Sequence, residues 1–434
     1  MMQQMRLGVA MTVAGLLQLP AAASAQETAP AVIIVPQLAT PENVATPAGD
    51  TRLIARYVAD VITADLRSTR ELVPIGPENA RVYSYPEATA PSFAQWRKTG
   101  AKTLVTGFVQ SRSDGRLTVG CYLHDLAGGR EMARKGFVVP PAEWRRAAHR
   151  CSDAVYEKLA GRPGWFDTRI AYVAESGAGP DRVKRVALMD SDGTAHRYVT
   201  AGDATVLAPR LVPGGDRVAY VSLTGGQAQI RIADLEGGED RALLPGTAMS
   251  FAPSFSADGK RVVFSMAVDG NTDVYIASAD GGGVQRLTST PGIDTAPGFS
   301  PDGTRIVFES DRSGSQQLYV MNADGSEPRR ISFGGARYAS PSWSPDGERI
   351  AFTRLAGTTL SIGVMSATGA GEKVLTSGPQ DEEPSWSAGG RDLLFQRTQG
   401  GRTGLNVISV DGGTPRRIVT PQDGSDPDWS TPGN

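Results

Sequence analysis

Ser344 and Asp346 stand two residues apart in "PSWSPDGERIAF", residues 341–352. A hydroxyl beside a carboxylate is the raw material of nucleophilic catalysis, in which a base must take the hydroxyl proton. The related carboxylates Asp258, Asp302 and Asp346 could instead offer oxygen ligands to calcium. Both chemistries need more than these residues. A serine nucleophile needs a histidine or lysine base, and the chain has only three histidines, His124, His149 and His196. None forms an H-E-x-x-H or H-x-H pattern, and no G-x-S-x-G elbow occurs. The turn aspartates lack the dense D-x-D-x-D spacing of a calcium loop. Asp346 is a turn-former first: Pro345 presets φ, Asp346 bonds its own backbone and Gly347 takes the positive φ. His149 lies in a helical pattern beside Arg146 and Arg150 and reads as a surface or packing histidine. Catalytic residues, metal ligands and cofactors are therefore all predicted to be none.

The phrase recurs, and its recurrence is the stronger signal. Versions begin at Pro209, Pro253, Pro297, Pro341 and Pro384, with a shortened "PDWS" at Pro427. The intervals are 44, 44, 44, 43 and 43 residues. A period in the low forties with strand patterning and turns is that of a propeller blade. Within one period the aromatic at Trp343 packs between blades. Arg349–Phe352 is apolar on consecutive residues, as a strand covered on both faces requires. Gln317–Met321 and Arg329–Ser332 supply two further strands. Before Pro209, "TRIAYVAE", "VKRVALMD" and "HRYVT" read as strands two to four of a blade without its first strand. "PDWS" is the missing strand, so the C-terminal segment is predicted to close a ring of six blades. The predicted fold is mainly β: a six-bladed β-propeller of four-stranded antiparallel blades, preceded by a small α/β domain.

That α/β domain occupies residues 26–165, ahead of a propeller at 166–434. "AVIIVPQL" at 31–38 reads as a buried strand. Thr51–Ser68 has helical spacing at Leu53, Ile54, Tyr57, Val58, Val61, Ile62 and Leu66. Two strands join across Ser113-Asp114-Gly115, "GFVVP" follows as another, and a second helix runs from Pro141 to Leu159 with a stop at Gly161 and Pro163. Residues 1–25 read as a secretory signal: Arg6, an apolar run from Leu7 to Leu19, and Ala23-Ser24-Ala25 as a small-x-small cleavage site. Export would place Cys121 and Cys151 in an oxidising compartment, where a disulfide between them and two buried free thiols are both open. With 44 basic and 46 acidic residues and no Lys/Arg-rich run, the chain lacks the basic face of a nucleic-acid binder.

One stretch is more specific than the repeat. "EWRRAAHRCSDAVYEKLAGRPGWFDTRIAYV", residues 143–173, resembles a signature of the TolB family at Trp144, His149, Asp153, Tyr156, Leu159, Gly161, Gly164, Phe166 and Thr168–Val173. Ala160 stands where that family usually has threonine. The family is the periplasmic component of the Tol-Pal system of Gram-negative envelopes. The resemblance implies a non-enzymatic periplasmic scaffold, without cofactor, that supports outer-membrane integrity and invagination during division. It also implies two partners. The outer-membrane lipoprotein Pal would bind at the channel mouth, by position in the short loops ahead of each repeat proline: Met249, Ala252, Asp294, Thr295, Arg337, Tyr338, Asp381 and Glu382. TolA would bind the N-terminal arm, here Gln26, Glu27 and Thr28. The alternative is an exported propeller that binds or hydrolyses peptides or carbohydrates.

Overall fold

The computed structural model describes residues 30–431 apart from 70, 178, 236, 245 and 247. The leader at 1–25 and the arm residues Gln26, Glu27 and Thr28 lie outside the described residues.

Six four-stranded antiparallel sheets form the propeller. Five of them each use four consecutive strands, as in Arg337–Trp343, Arg349–Ala356, Thr359–Ser366 and Lys373–Val374. The first blade contains Arg169–Ser176, Val183–Asp190 and Arg197–Tyr198, and its innermost strand is Asp423–Trp429 from the C-terminal end. That strand pairs antiparallel with Arg169–Ser176, from Asp423 opposite Glu175 to Trp429 opposite Ile170. The ring closes as the repeat predicts, and closure leaves the first blade no open inner edge.

The Ser-x-Asp-Gly phrase is a turn lock. Ser344 Oγ donates to Asp346 Oδ1 at 2.5 Å and accepts from Arg349 N at 2.9 Å, while Gly347 N bonds Ser344 O at 2.9 Å. Ser300 and Asp302 repeat the arrangement at 2.5 Å, as do Ser256 and Asp258 at 2.6 Å. The hydroxyl proton is thus committed to the turn. The arginine that follows staples blades together. Arg349 lies 5.1 Å over the Trp386 ring of the next blade and donates to Gly390 O at 2.8 Å. Arg305 stacks 4.7 Å over Trp343, and Arg261 stacks 4.9 Å over Phe299. Cation–π pairs of this kind contribute about 0.5–2 kcal/mol each, more as they are desolvated.

The sequence reading placed the start of each first strand too late. Strands open at Met249, Asp294, Arg337 and Asp381, three or four residues ahead of the repeat proline. The proline sits mid-strand because the residue before it forms a β-bulge. Ala208, Ala252, Ala296, Ser340, Glu383 and Asp426 all have φ between 45° and 56°, and the strand register shifts at each. The bulge frees the proline from the ladder hydrogen bond it cannot make.

The N-terminal unit is a five-stranded sheet carrying Ala31–Ile34 between Leu72–Ile75 and Thr103–Ser111, followed by Leu117–Asp125 and Arg130–Val139. Helices Thr51–Ser68 and Trp144–Ala160 pack on it. Asp50 caps the first helix by accepting from Leu53 N, and Gly161 ends the second at φ 69°. Ile54, Val58, Val61, Ile62 and Leu66 are buried, whereas Leu53 and Tyr57, also counted on the apolar face from the sequence, are exposed. Cys121 and Cys151 are free and buried.

Candidate partner-binding channel

Every first strand of the ring contributes to one central cavity of about 490 Å³. It runs from the bulge residues to the turn prolines Pro213, Pro301 and Pro345. At four blade junctions the bulge N–H is satisfied by the residue that follows the phenylalanine of the preceding blade's second strand. Ala296 N donates to Ser265 Oγ at 3.2 Å, Ser340 N to Glu309 Oε1 at 2.5 Å, Glu383 N to Thr353 Oγ1 at 3.2 Å and Asp426 N to Gln396 Oε1 at 2.8 Å. These bonds hold four of the six strained bulge positions around the axis.

The channel is acidic on one side. Glu309, Glu383, Asp426 and Asp428 line it, with Arg210 as the one cation among the lining residues. Ser340 Oγ donates to Glu383 Oε1 at 2.8 Å, and Arg210 lies 3.7 Å from Glu383 Oε2. Burial raises the Asp426 carboxyl to about 6, helped by the Glu383 charge beside it. Burial likewise raises Glu309, Asp428 and, at the edge of the channel, Glu382. Such an arrangement costs stability at neutral pH and presents a negative surface to whatever enters. The sequence analysis missed these residues. Their signal was substitution within the repeat: Glu383 and Asp426 stand where other copies have Ala or Ser, and Glu309 where others have Val, Ser, Thr or Gln.

The eight residues expected in mouth loops lie within the first strands instead. Met249 and Arg337 are exposed at strand starts, and Ala252 lines the cavity. Thr295 is half-buried and donates to Glu309 Oε2 at 3.3 Å. Asp294, Tyr338 and Asp381 are enclosed. Asp294 accepts from Arg312 at 2.8 Å, and Asp381 receives both nitrogens of the Arg397 fork at 2.6 and 2.8 Å. Tyr338 donates to Glu372 at 2.8 Å. These three side chains fasten strands and are not presented at the surface, because a buried carboxylate must be paired. Apolar side chains that the sequence reading passed over, Ile293, Phe333 and Val419, are exposed in the connections leading to first strands.

The opposite face of the ring is taken by the N-terminal unit, through the 143–173 stretch. Asp153 accepts from Phe166 N at 2.8 Å and Asp167 N at 3.1 Å. A Cβ on Gly164 would fall 2.2 Å from Asp153 Oδ1, which is why glycine stands there. Asp167 takes Arg146 at 3.0 Å and Arg150 at 2.8 Å. Thr168 Oγ1 accepts from the Trp429 indole at 2.9 Å, tying the closing strand to the junction. Glu71 reaches Arg391 of the sixth blade at 2.5 Å. His149 is buried here, with Asp65 2.8 Å from Nδ1. Burial works to lower its pKa, but the charges of Asp65, Asp192 and Asp190 outweigh it and hold it up at about 9. Of the surface and packing readings of His149, burial selects the packing one.

These features define a closed propeller with an enclosed acidic channel, one face fused to an α/β unit and the other open. Residues 156–432 match the family model of the TolB beta propeller domain, and residues 24–132 match that of the TolB amino-terminal domain. The chain belongs to the TolB family. The Tol-Pal system protein TolB of Zymomonas mobilis is 52% identical over 203 residues, 47% of this chain and 44% of that one. That of Rhizorhabdus wittichii is 48% identical over 199 residues, 46% of this chain and 45% of its own. The chain spans about half the length of the curated relatives it matches. The crystal structure of TolB from Acinetobacter baumannii superposes with a TM-score of 0.77 at 27% identity, over 93% of this chain and 97% of that one.

Proposed function

We propose that this protein is a non-enzymatic scaffold of the periplasmic Tol-Pal assembly. It binds the lipoprotein Pal on the open face of the propeller and TolA through Gln26–Thr28, and so supports envelope integrity and invagination at division. The observation that carries the reading is the asymmetry of the ring. The N-terminal unit occupies the turn face, while the face where first strands begin carries exposed Met249, Ile293, Phe333 and Val419. Exposed apolar residues on the same face as a polar, partly charged opening suit a non-obligate protein partner. Membership of the TolB family, whose matched relatives are Tol-Pal system proteins, supports Pal as that partner.

Immobilised Pal tests this. Met249→Arg and Thr295→Arg place a bulky cation at the mouth, and each is expected to weaken binding at least about tenfold, an interface cost of ~1.4 kcal/mol. Unchanged affinity in both variants removes Pal from this face.

A further inference from the structure

We propose that His149, Asp190 and Asp192 form a binding site for a divalent transition-metal ion such as zinc, at the seam between the N-terminal unit and the first blade. His149 comes from the second long helix, Asp190 ends the strand Val183–Asp190, and Asp192 lies in the turn after it. One imidazole nitrogen and one oxygen from each carboxylate lie within 4.8 Å of one another. His149 is 1% exposed, and its Nε2 has no hydrogen-bond partner among the described residues. That nitrogen lies 3.8 Å from Asp192 Oδ2.

The surroundings favour a ligand role for both residues. Nδ1 is fixed by Asp65 at 2.8 Å, the carboxylate–histidine arrangement that orients a metal-binding imidazole and raises its basicity. Asp192 Oδ1 is occupied by Thr194 N at 3.0 Å and Thr194 Oγ1 at 2.6 Å, which leaves Oδ2 on the His149 side. Zinc held at about 2.1 Å by tetrahedral ligands sets them about 3.4 Å apart, so the His149–Asp192 pair needs to close by only a few tenths of an ångström. One imidazole and two carboxylates suit zinc or manganese and leave a position for water.

Arg145 is the competitor. Its guanidinium bonds Asp192 and lies 4.0 Å from Asp190, so it neutralises the aspartates when no ion is present. A bound metal takes the place of that guanidinium on Asp192 and of any proton on Nε2, which passes to solvent.

The test uses the untagged chain, stripped by chelator and titrated with zinc alone at pH 7.5, with metal content read after dialysis. One equivalent is expected, together with a rise in thermal midpoint. His149→Gln and Asp192→Asn should each weaken binding at least a hundredfold. Asp65→Asn, a positioning change, should weaken it about tenfold. Arg145→Gln keeps all three ligands and removes the competing charge, so it should bind zinc more tightly than the parent even if the other variants fold poorly. Less than stoichiometric zinc in both the parent and Arg145→Gln overturns the proposal. So does binding that His149→Gln, shown folded by circular dichroism, leaves unchanged.

Discussion

Trp429 is where ring closure can be weighed most sharply. It is the last residue of the closing strand and is 8% exposed. Its indole nitrogen donates to Thr168 Oγ1 at 2.9 Å, and its backbone N–H donates to Ser385 Oγ of the sixth blade at 2.9 Å. One side chain thus joins the closing strand to the junction. Trp429→Ala removes a buried indole from a packed site, which costs about 3–5 kcal/mol. Against a total stability of about 5–15 kcal/mol, that is a large fraction. Trp429→Phe keeps most of the volume but loses the hydrogen bond, for about 1 kcal/mol. Trp343 is the internal control. It occupies the equivalent repeat position and is also 8% exposed, yet its indole nitrogen has no partner among the described residues. Trp343→Phe should therefore cost less than Trp429→Phe. Urea unfolding followed by far-ultraviolet circular dichroism measures all three. A loss under about 1 kcal/mol for Trp429→Ala, or a larger loss for Trp343→Phe than for Trp429→Phe, would refute the closure argument.

Three further outcomes follow from the channel and its fastenings. Asp426→Asn should stabilise the protein at pH 7 by up to about 3 kcal/mol and change little at pH 4. The carboxyl rises from 3.8 to about 6 on folding, so its penalty is absent below pH 4 and accrues as pH climbs to 6. Comparing urea midpoints at the two pH values checks this. Arg397→Met leaves the fully buried Asp381 without its partner and should cost about 3–5 kcal/mol, while the double change Arg397→Met with Asp381→Leu should recover much of that. Gly164→Ala puts a methyl group against Asp153 and should loosen the junction, seen as faster amide exchange at Phe166 and Asp167 than in the parent.

Blade number, strand count and the closing strand were legible because a repeat announces itself. Three copies share the Ser-x-Asp-Gly turn, the others keep the proline and the spacing, and an incomplete copy at either end has one arrangement that satisfies both. The bulge before each proline was hidden, since Ala, Ser, Glu and Asp share that position and only backbone geometry unites them. Asp294 and Asp381 were misplaced for a related reason. A polar residue ahead of a proline reads as a loop, and nothing in the spacing reveals that Arg312 and Arg397, 18 and 16 residues on, bury and pair them. His149 stayed open between a surface and a packing role because its partner Asp65 is 84 residues away. The acidic channel follows the same pattern: its carboxylates come from different blades and meet only when the ring closes.

Binding of purified Pal to the intact chain, read by calorimetry with the open-face variants alongside, tests the central claim most directly. The account predicts a one-to-one complex that Met249→Arg and Thr295→Arg weaken at least about tenfold while Asp192→Asn, on the opposite face, leaves it unchanged. A complex insensitive to both open-face changes, or one lost with Asp192→Asn, would contradict it.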